Sequence, residues 1–147
     1  MIRGQLTARV EQLVRERTPF VVATVIRARR PTSVRPGFSA VVLADGTIEG
    51  FVGGQCAESS VRLHSMRALE TGEPLLLRIV PGDGPAAGLS DSGSQAADSI
   101  GDAVVERNPC LSGGSLEIFL EPRLPAPRVM VVGSTPIADA LGSVAAA

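Results

Sequence analysis

The stretch Phe51-Val-Gly-Gly-Gln-Cys-Ala-Glu58 sets a thiol and a carboxylate directly behind two glycines. Gly53 and Gly54 carry no Cβ, so the backbone can turn sharply there and bring its N–H groups close to a ligand. A strand ending near Val52 and a helix beginning near Gln55 would put Cys56 in the first helical turn. Free amides and the helix dipole at such a terminus favour anions and lower a thiol pKa. The chemistry on offer is that of a reactive thiol or a soft ligand. The plainer alternative is a buried, inert cysteine, because free cysteines are among the most buried residues. The second cysteine weighs against it: Cys110-Leu-Ser-Gly-Gly114 again joins a thiol to a glycine pair, here leading into a strand.

Other groups fall into place around these two. Arg27, Arg29, Arg30 and Arg35 share a turn with Thr32 and Ser33, closed by Pro36-Gly37. Forked guanidinium donors match phosphate oxygens, although a charge cluster equally serves to solvate an exposed turn. Glycine pairs 53–54 and 113–114 offer backbone amides to an anion. Glu58 suits the positive end of a helix dipole whatever else it does. His64 is the sole histidine, about 12 Å beyond Cys56 along a helix axis. It has no metal-ligand partner at a recognisable spacing and reads as structural. No phosphate-binding loop and no nucleophile elbow is present.

The elements that must hold these groups can be read from periodicity. Leu6, Val10, Leu13 and Val14 predict an amphipathic helix over 4–17. Phe20 to Ile26 is an almost unbroken β-branched run, expected as a strand buried on both faces. Asp45-Gly46 marks a hairpin between strands over 38–44 and 47–52. Residues 55–71 read as a helix stopped by Gly72, with Pro74 beyond. Strands are expected over 75–80 and 116–120, with 81–109 as one long Gly/Ser/Asp-rich loop between them. After Pro122 to Pro127, Arg128 to Gly133 and Pro136 to Leu141 read as strand, turn and helix, the opening of a Rossmann unit. Thr135 stands where a second glycine would be expected, so nucleotide binding by this segment alone is rejected. The expectation is an α/β fold with a mixed sheet and flanking helices over 1–122, a proline-rich linker over 123–127, and a Rossmann-like fragment over 128–147.

At 147 residues and 44% hydrophobic, the chain can bury one core. A net charge of −1 and 3% aromatics, with no Trp or Tyr, argue against nucleic-acid binding. No apolar run is long enough for a membrane span, and Arg3 and Gln5 interrupt any signal-like start. Two cysteines then suggest free thiols in a reducing, cytoplasmic setting, with a Cys56–Cys110 disulfide as the less favoured alternative. An exposed Val129-Met-Val-Val132 edge would favour a homodimer.

In order and spacing, the chain resembles the XdhC/CoxI family, the accessory proteins of molybdenum hydroxylases. The resemblance is carried by Pro19 to Ile26, Arg35-Pro-Gly37, Asp45-Gly46, Gly53-Gly54, Cys56, Glu58 and Ala68 to Pro74. Beyond these it includes Cys110, Gly113-Gly114, Glu117 to Pro122 and the segment from Arg128 to Leu141. It implies a chaperone that binds molybdenum cofactor (molybdopterin) transiently and passes it to an apoenzyme such as xanthine dehydrogenase or CO dehydrogenase, with no turnover of its own. It implies a cofactor pocket framed by Gly53, Gly54, Gln55, Glu58, Gly113 and Gly114, with Arg35 on the phosphate and Cys56, then Cys110, nearest the metal or its sulfur. A cysteine desulfurase is a further implied partner. The family pattern often has a third glycine where this chain has Gln55, and an unbroken Cys-Gly-Gly where Leu111 and Ser112 intervene here. Two alternatives stay open: a scaffold that contacts the apoenzyme without cofactor, and a sulfur-transfer enzyme working through Cys56.

Overall fold

Leu6, Val10 and Leu13, one helical turn apart, form the inner face of helix α1 (Arg3–Arg15), where Leu13 is buried against Phe20 and Val41. These contacts belong to a computed structural model that describes residues 3–82, 98–100, 103–108 and 114–145. The remaining elements, in chain order, begin with strands β1 (Phe20–Arg29), β2 (Ser39–Leu43) and β3 (Ile48–Gly50) and helix α2 (Gln55–Thr71). Strands β4 (Leu75–Pro81), β5 (Asp98–Ile100), β6 (Ala103–Asn108) and β7 (Ser115–Arg123) follow, and then helix α3 (Pro136–Ala145).

The strands make one seven-stranded sheet in the order β3-β2-β1-β7-β4-β6-β5. Neighbours run antiparallel except β4 and β6, which pair in parallel from Leu76↔Ala103 to Pro81↔Asn108. The expected mixed sheet with flanking helices is therefore present. The hairpin forms at Asp45-Gly46, where Gly46 takes φ 83° and the Asp45 carboxylate accepts the Thr47 N–H at 2.8 Å. That hydrogen bond holds the Asp45 carboxyl below its ordinary pKa. Helix α2 stops where the sequence says it should: Gly72 is left-handed at φ 73° and its N–H donates to the Ala68 carbonyl at 2.9 Å.

Successive β1 side chains separate the two sides of the sheet. Val21, Ala23 and Val25 point under α2 and join Ala40, Val42, Leu77, Ile79, Leu116, Ile118 and Leu120 in the main core. Phe20 and Val22 point the other way, under α1. Helix α1 is fastened to β3 by a two-pronged ion pair, Arg9 Nε and Nη2 to the Glu49 carboxylate at 2.8 and 2.9 Å.

Two sequence expectations fail. Residues 81–109 were expected as loop, yet β5 and β6 lie within them: β6 pairs with β4, more than twenty residues upstream, and β5 is a short edge strand that folds back on β6 from Ile100↔Ala103. Arg128 to Gly133 was expected to begin with a strand, but the run has no regular structure, and Val129, Met130 and Val132 are each at least 70% exposed. A strand needs a neighbour to take up its backbone groups, and none pairs with this run among the described residues. The helix expected after it is present as α3, with no buried residue.

Candidate functional site

The C-terminal ends of β1, β3, β4 and β6 and the start of β7 meet at one end of the sheet, where α2 begins. Gly53 stands at φ 144°, a conformation side chains rarely adopt, and a Cβ there would lie 2.7 Å from that of Ala57 and 3.5 Å from Leu116. This glycine is what lets the chain turn tightly from β3 into α2. Gly54 is different. It is the N-cap at φ −73° and ψ 179°, makes no side-chain cap, and the space where its Cβ would be is open. Its carbonyl accepts the first helical bond from the Glu58 N–H at 3.0 Å, so the amides of the first turn are left facing outward with Gln55 exposed.

Cys56 is half-buried in that turn, and it is disulfide-bonded. The expectation of a free thiol is overturned. Asn108 Nδ2 donates to the Cys56 carbonyl at 3.1 Å, so β6 ends against α2 two residues before the chain's other cysteine. Cys110 and Gly113 themselves lie outside the described residues. Gly114 is buried, and a Cβ there would come within 2.0 Å of the Pro31 carbonyl oxygen and 2.9 Å of the Arg29 carbonyl oxygen. Only a bare α-carbon lets β7 start against the Arg29–Pro31 turn, whose Arg30–Pro31 peptide is cis.

The arginines divide. A register shift at Ile26 in the β1–β7 pairing re-aims the end of β1, and Arg27 meets Glu117 at 3.5 Å while Arg78 takes the same carboxylate oxygen at 3.1 Å. Arg30 and Arg35 instead line a cavity of about 360 Å³ together with Thr32 and Ser33. Neither has a carboxylate partner among the described residues. Arg35 also borders a larger cavity of about 1050 Å³ on the α1 side of the sheet, floored by Val22 and Thr24 and walled by Phe38 and Phe51. Cys56 lines neither. The structure thus brings Gly53, Gly54, Gln55, Cys56 and Glu58 together at one helix start and sets Gly114 against the arginine turn, but it does not place Cys56 in Arg35's cavities.

Sequence reasoning missed a polar seam beside Cys56. Ser60 Oγ donates to Glu106 Oε1 at 2.7 Å, and His64 Nε2 lies 2.9 Å from Glu106 Oε2. With a carboxylate facing it, Nε2 carries the proton and donates; Nδ1 is buried without a partner among the described residues. Cys56, Ser60 and His64 recur every four residues on one face of α2, a signal present in the sequence. Its partners Glu106 and Asn108 were hidden in the presumed loop. The structural reading of His64 fits this tie between helix and strand. Among the described residues no three His, Cys, Asp or Glu side chains group as a metal site, and no helix is long and apolar enough to cross a membrane.

Comparison with known proteins adds to this geometry. Residues 13–80 match the model of the XdhC and CoxI family. No functionally curated protein matches the chain. Among solved structures, a xanthine dehydrogenase from Bacillus halodurans aligns with a TM-score of 0.51 at 22% identity, over 78% of this chain. The aligned part is 29% of that protein's length, and the likeness is one of fold.

Proposed function

We propose that this chain, whose residues 13–80 match the model of the XdhC and CoxI family, serves the maturation of a molybdenum hydroxylase by holding molybdopterin and delivering it to the apoenzyme. The observation that carries the reading is the end of the sheet where α2 starts. Outward-facing amides at Gly54 and Gln55, and the guanidiniums of Arg30 and Arg35 with no carboxylate partner among the described residues, suit an anionic, phosphate-bearing ligand. The residues present fit the phosphate part of that group. They do not, in the disulfide state, fit a metal–thiolate bond, because Cys56 offers no thiolate. A metal- or sulfur-proximal role for Cys56, and any exchange with a cysteine desulfurase, belongs to the reduced form. Molybdopterin would supply a dithiolene-bound molybdenum centre to the recipient enzyme; this chain's part is to bind it and shield it from water.

The test is anaerobic incubation with molybdenum cofactor, followed by desalting and measurement of retained pterin by fluorescence after oxidation. Wild type and Cys56→Ser are run side by side, with and without reductant. Near-stoichiometric pterin on reduced wild type, with much less on Cys56→Ser, is the expected result. Equal retention would leave the carrier role and remove Cys56 as its anchor. No retention by either form would overturn the reading.

A further inference from the structure

Arg35 and Pro36 border both cavities described above, the small polar one and the large apolar one. We propose that the two form a single two-part binding site for a planar nitrogen heterocycle carrying a phosphate, with the ring against Phe38 and Phe51 and the phosphate on Arg30 and Arg35. The chain has four phenylalanines, and two of them meet here with ring centroids 6.3 Å apart and planes tilted by 60°. Both remain about 40% exposed. Aromatic faces left open at the wall of a cavity are suited to a flat ring, which stacks or packs edge-on against them. Thr24 and Ser39 add hydroxyls, 3.4 Å apart, in reach of a ring's polar edge.

The large cavity is mainly apolar, with Glu121 and Arg123 at its edge, and the small cavity is mainly polar and cationic. Arg30, Thr32, Ser33 and Arg35 give it two cations and two hydroxyls and no carboxylate, and the Val34 N–H donates to Thr32 Oγ1 at 3.4 Å across that turn. Such a donor set matches phosphate oxygens. A bare anion would leave the apolar cavity empty, and a neutral apolar ligand would leave the guanidiniums without a partner. A volume of about 1050 Å³ is at the upper end of small-molecule sites. A pterin and a nucleobase share this chemistry. The pterin version rests on the carrier reading above; the nucleotide version does not, and Cys56 lines neither cavity.

The experiment is calorimetric titration of the whole 147-residue chain with CMP, GMP, their nucleosides, inorganic phosphate, and the phosphorylated pterin obtained by oxidising molybdopterin. A ring-bearing phosphate is expected to bind at least about tenfold tighter than inorganic phosphate, a difference of roughly 1.4 kcal/mol. Phe51→Ala should abolish that advantage, and Arg35→Gln should weaken the phosphorylated forms while leaving nucleosides unchanged. Phe38→Leu, with thermal melts of each variant, keeps the test valid if Phe51→Ala unfolds. Tighter binding of the pterin or of a nucleotide then identifies the source of the ring. Inorganic phosphate binding as well as any ring-bearing form, no binding of any probe, or Phe-independent binding would each overturn the site. Molybdopterin retention that ignores Phe51→Ala would overturn the pterin version alone and leave the carrier reading standing. Phe-dependent nucleotide binding with no pterin retained would do the reverse.

Discussion

The two sides of the sheet are built to different standards. Beneath α2, side chains from β1, β2, β4 and β7 are buried, and Val61 and Ala68 of the helix are buried with them. On the other side, α1 covers Phe20 and Val41 at one end and leaves the rest to an open cavity bordered by Phe38, Phe51 and Arg35. Ile26 and Phe119 stay 47% and 38% exposed on that side. A closed face supplies stability, and an open apolar face supplies a place for a ligand. The glycines repeat the lesson on a smaller scale. Gly114 is needed so that two backbones can meet and Gly53 so that the chain can turn into α2 against Ala57, whereas Gly54 faces open space.

That contrast can be broken most severely at Gly114. Gly114→Ala sets a methyl carbon 2.0 Å from a backbone oxygen that cannot move aside, and should cost more than about 4 kcal/mol, leaving a chain without a cooperative thermal transition by circular dichroism. Gly54→Ala should cost at most about 1 kcal/mol, the difference between the two residues at an N-cap. Equal losses at the two sites would remove the distinction.

Adjacent residues on β7 test the faces directly. Ile118→Ala, on the α2 side and fully buried, should lose about 2–5 kcal/mol in denaturant unfolding. Phe119→Ala, its neighbour on the open side, should lose about 1 kcal/mol or less. A larger loss at Phe119 would mean that the open side is a core after all.

Next in size is the seam that joins α2 to β6. Glu106→Ala strands the His64 ring and leaves the Ser60 hydroxyl only the Cys56 carbonyl at 3.3 Å, and an expected loss of about 1–3 kcal/mol follows from the hydrogen bonds left unmade. Hydrogen exchange of β6 amides should rise in this variant more than that of β1. Uniform acceleration would place the loss elsewhere.

The smallest effect is at the Asp45 turn, exposed and far from both cavities. Its carboxyl is held below the ordinary value by the Thr47 N–H. A depressed folded pKa means stability present above the unfolded value, near about pH 4, and lost as pH falls through the folded value. Thermal midpoints of wild type and Asp45→Asn should therefore converge in acid and separate toward neutrality. Parallel curves would contradict that linkage.

Local rules carried much of the architecture into view. The 3.6-residue repeat of α1, the Gly72 stop of α2, the Asp45-Gly46 hairpin and the β-branched run of β1 each depend on neighbours within a few residues. The glycine pair ahead of Cys56 was legible for the same reason, because a tight strand-to-helix turn needs a residue without Cβ. Long-range pairing was not legible. β6 exists through its partner β4 across the sheet, Val129 to Val132 pairs with nothing among the described residues, and Glu106 reaches His64 over 42 residues of sequence.

What the sequence determined by itself was the set of elements and the presence of chemistry at a helix start. Only the tertiary structure decided that Cys56 is held in a disulfide, that Arg35 stands between two cavities away from it, and that Phe38 and Phe51 face one another across an open wall. The physical reason is range. Propensity, turns and caps act over about four residues of chain, whereas cavities and cross-strand contacts are set by which distant segments the buried core draws together.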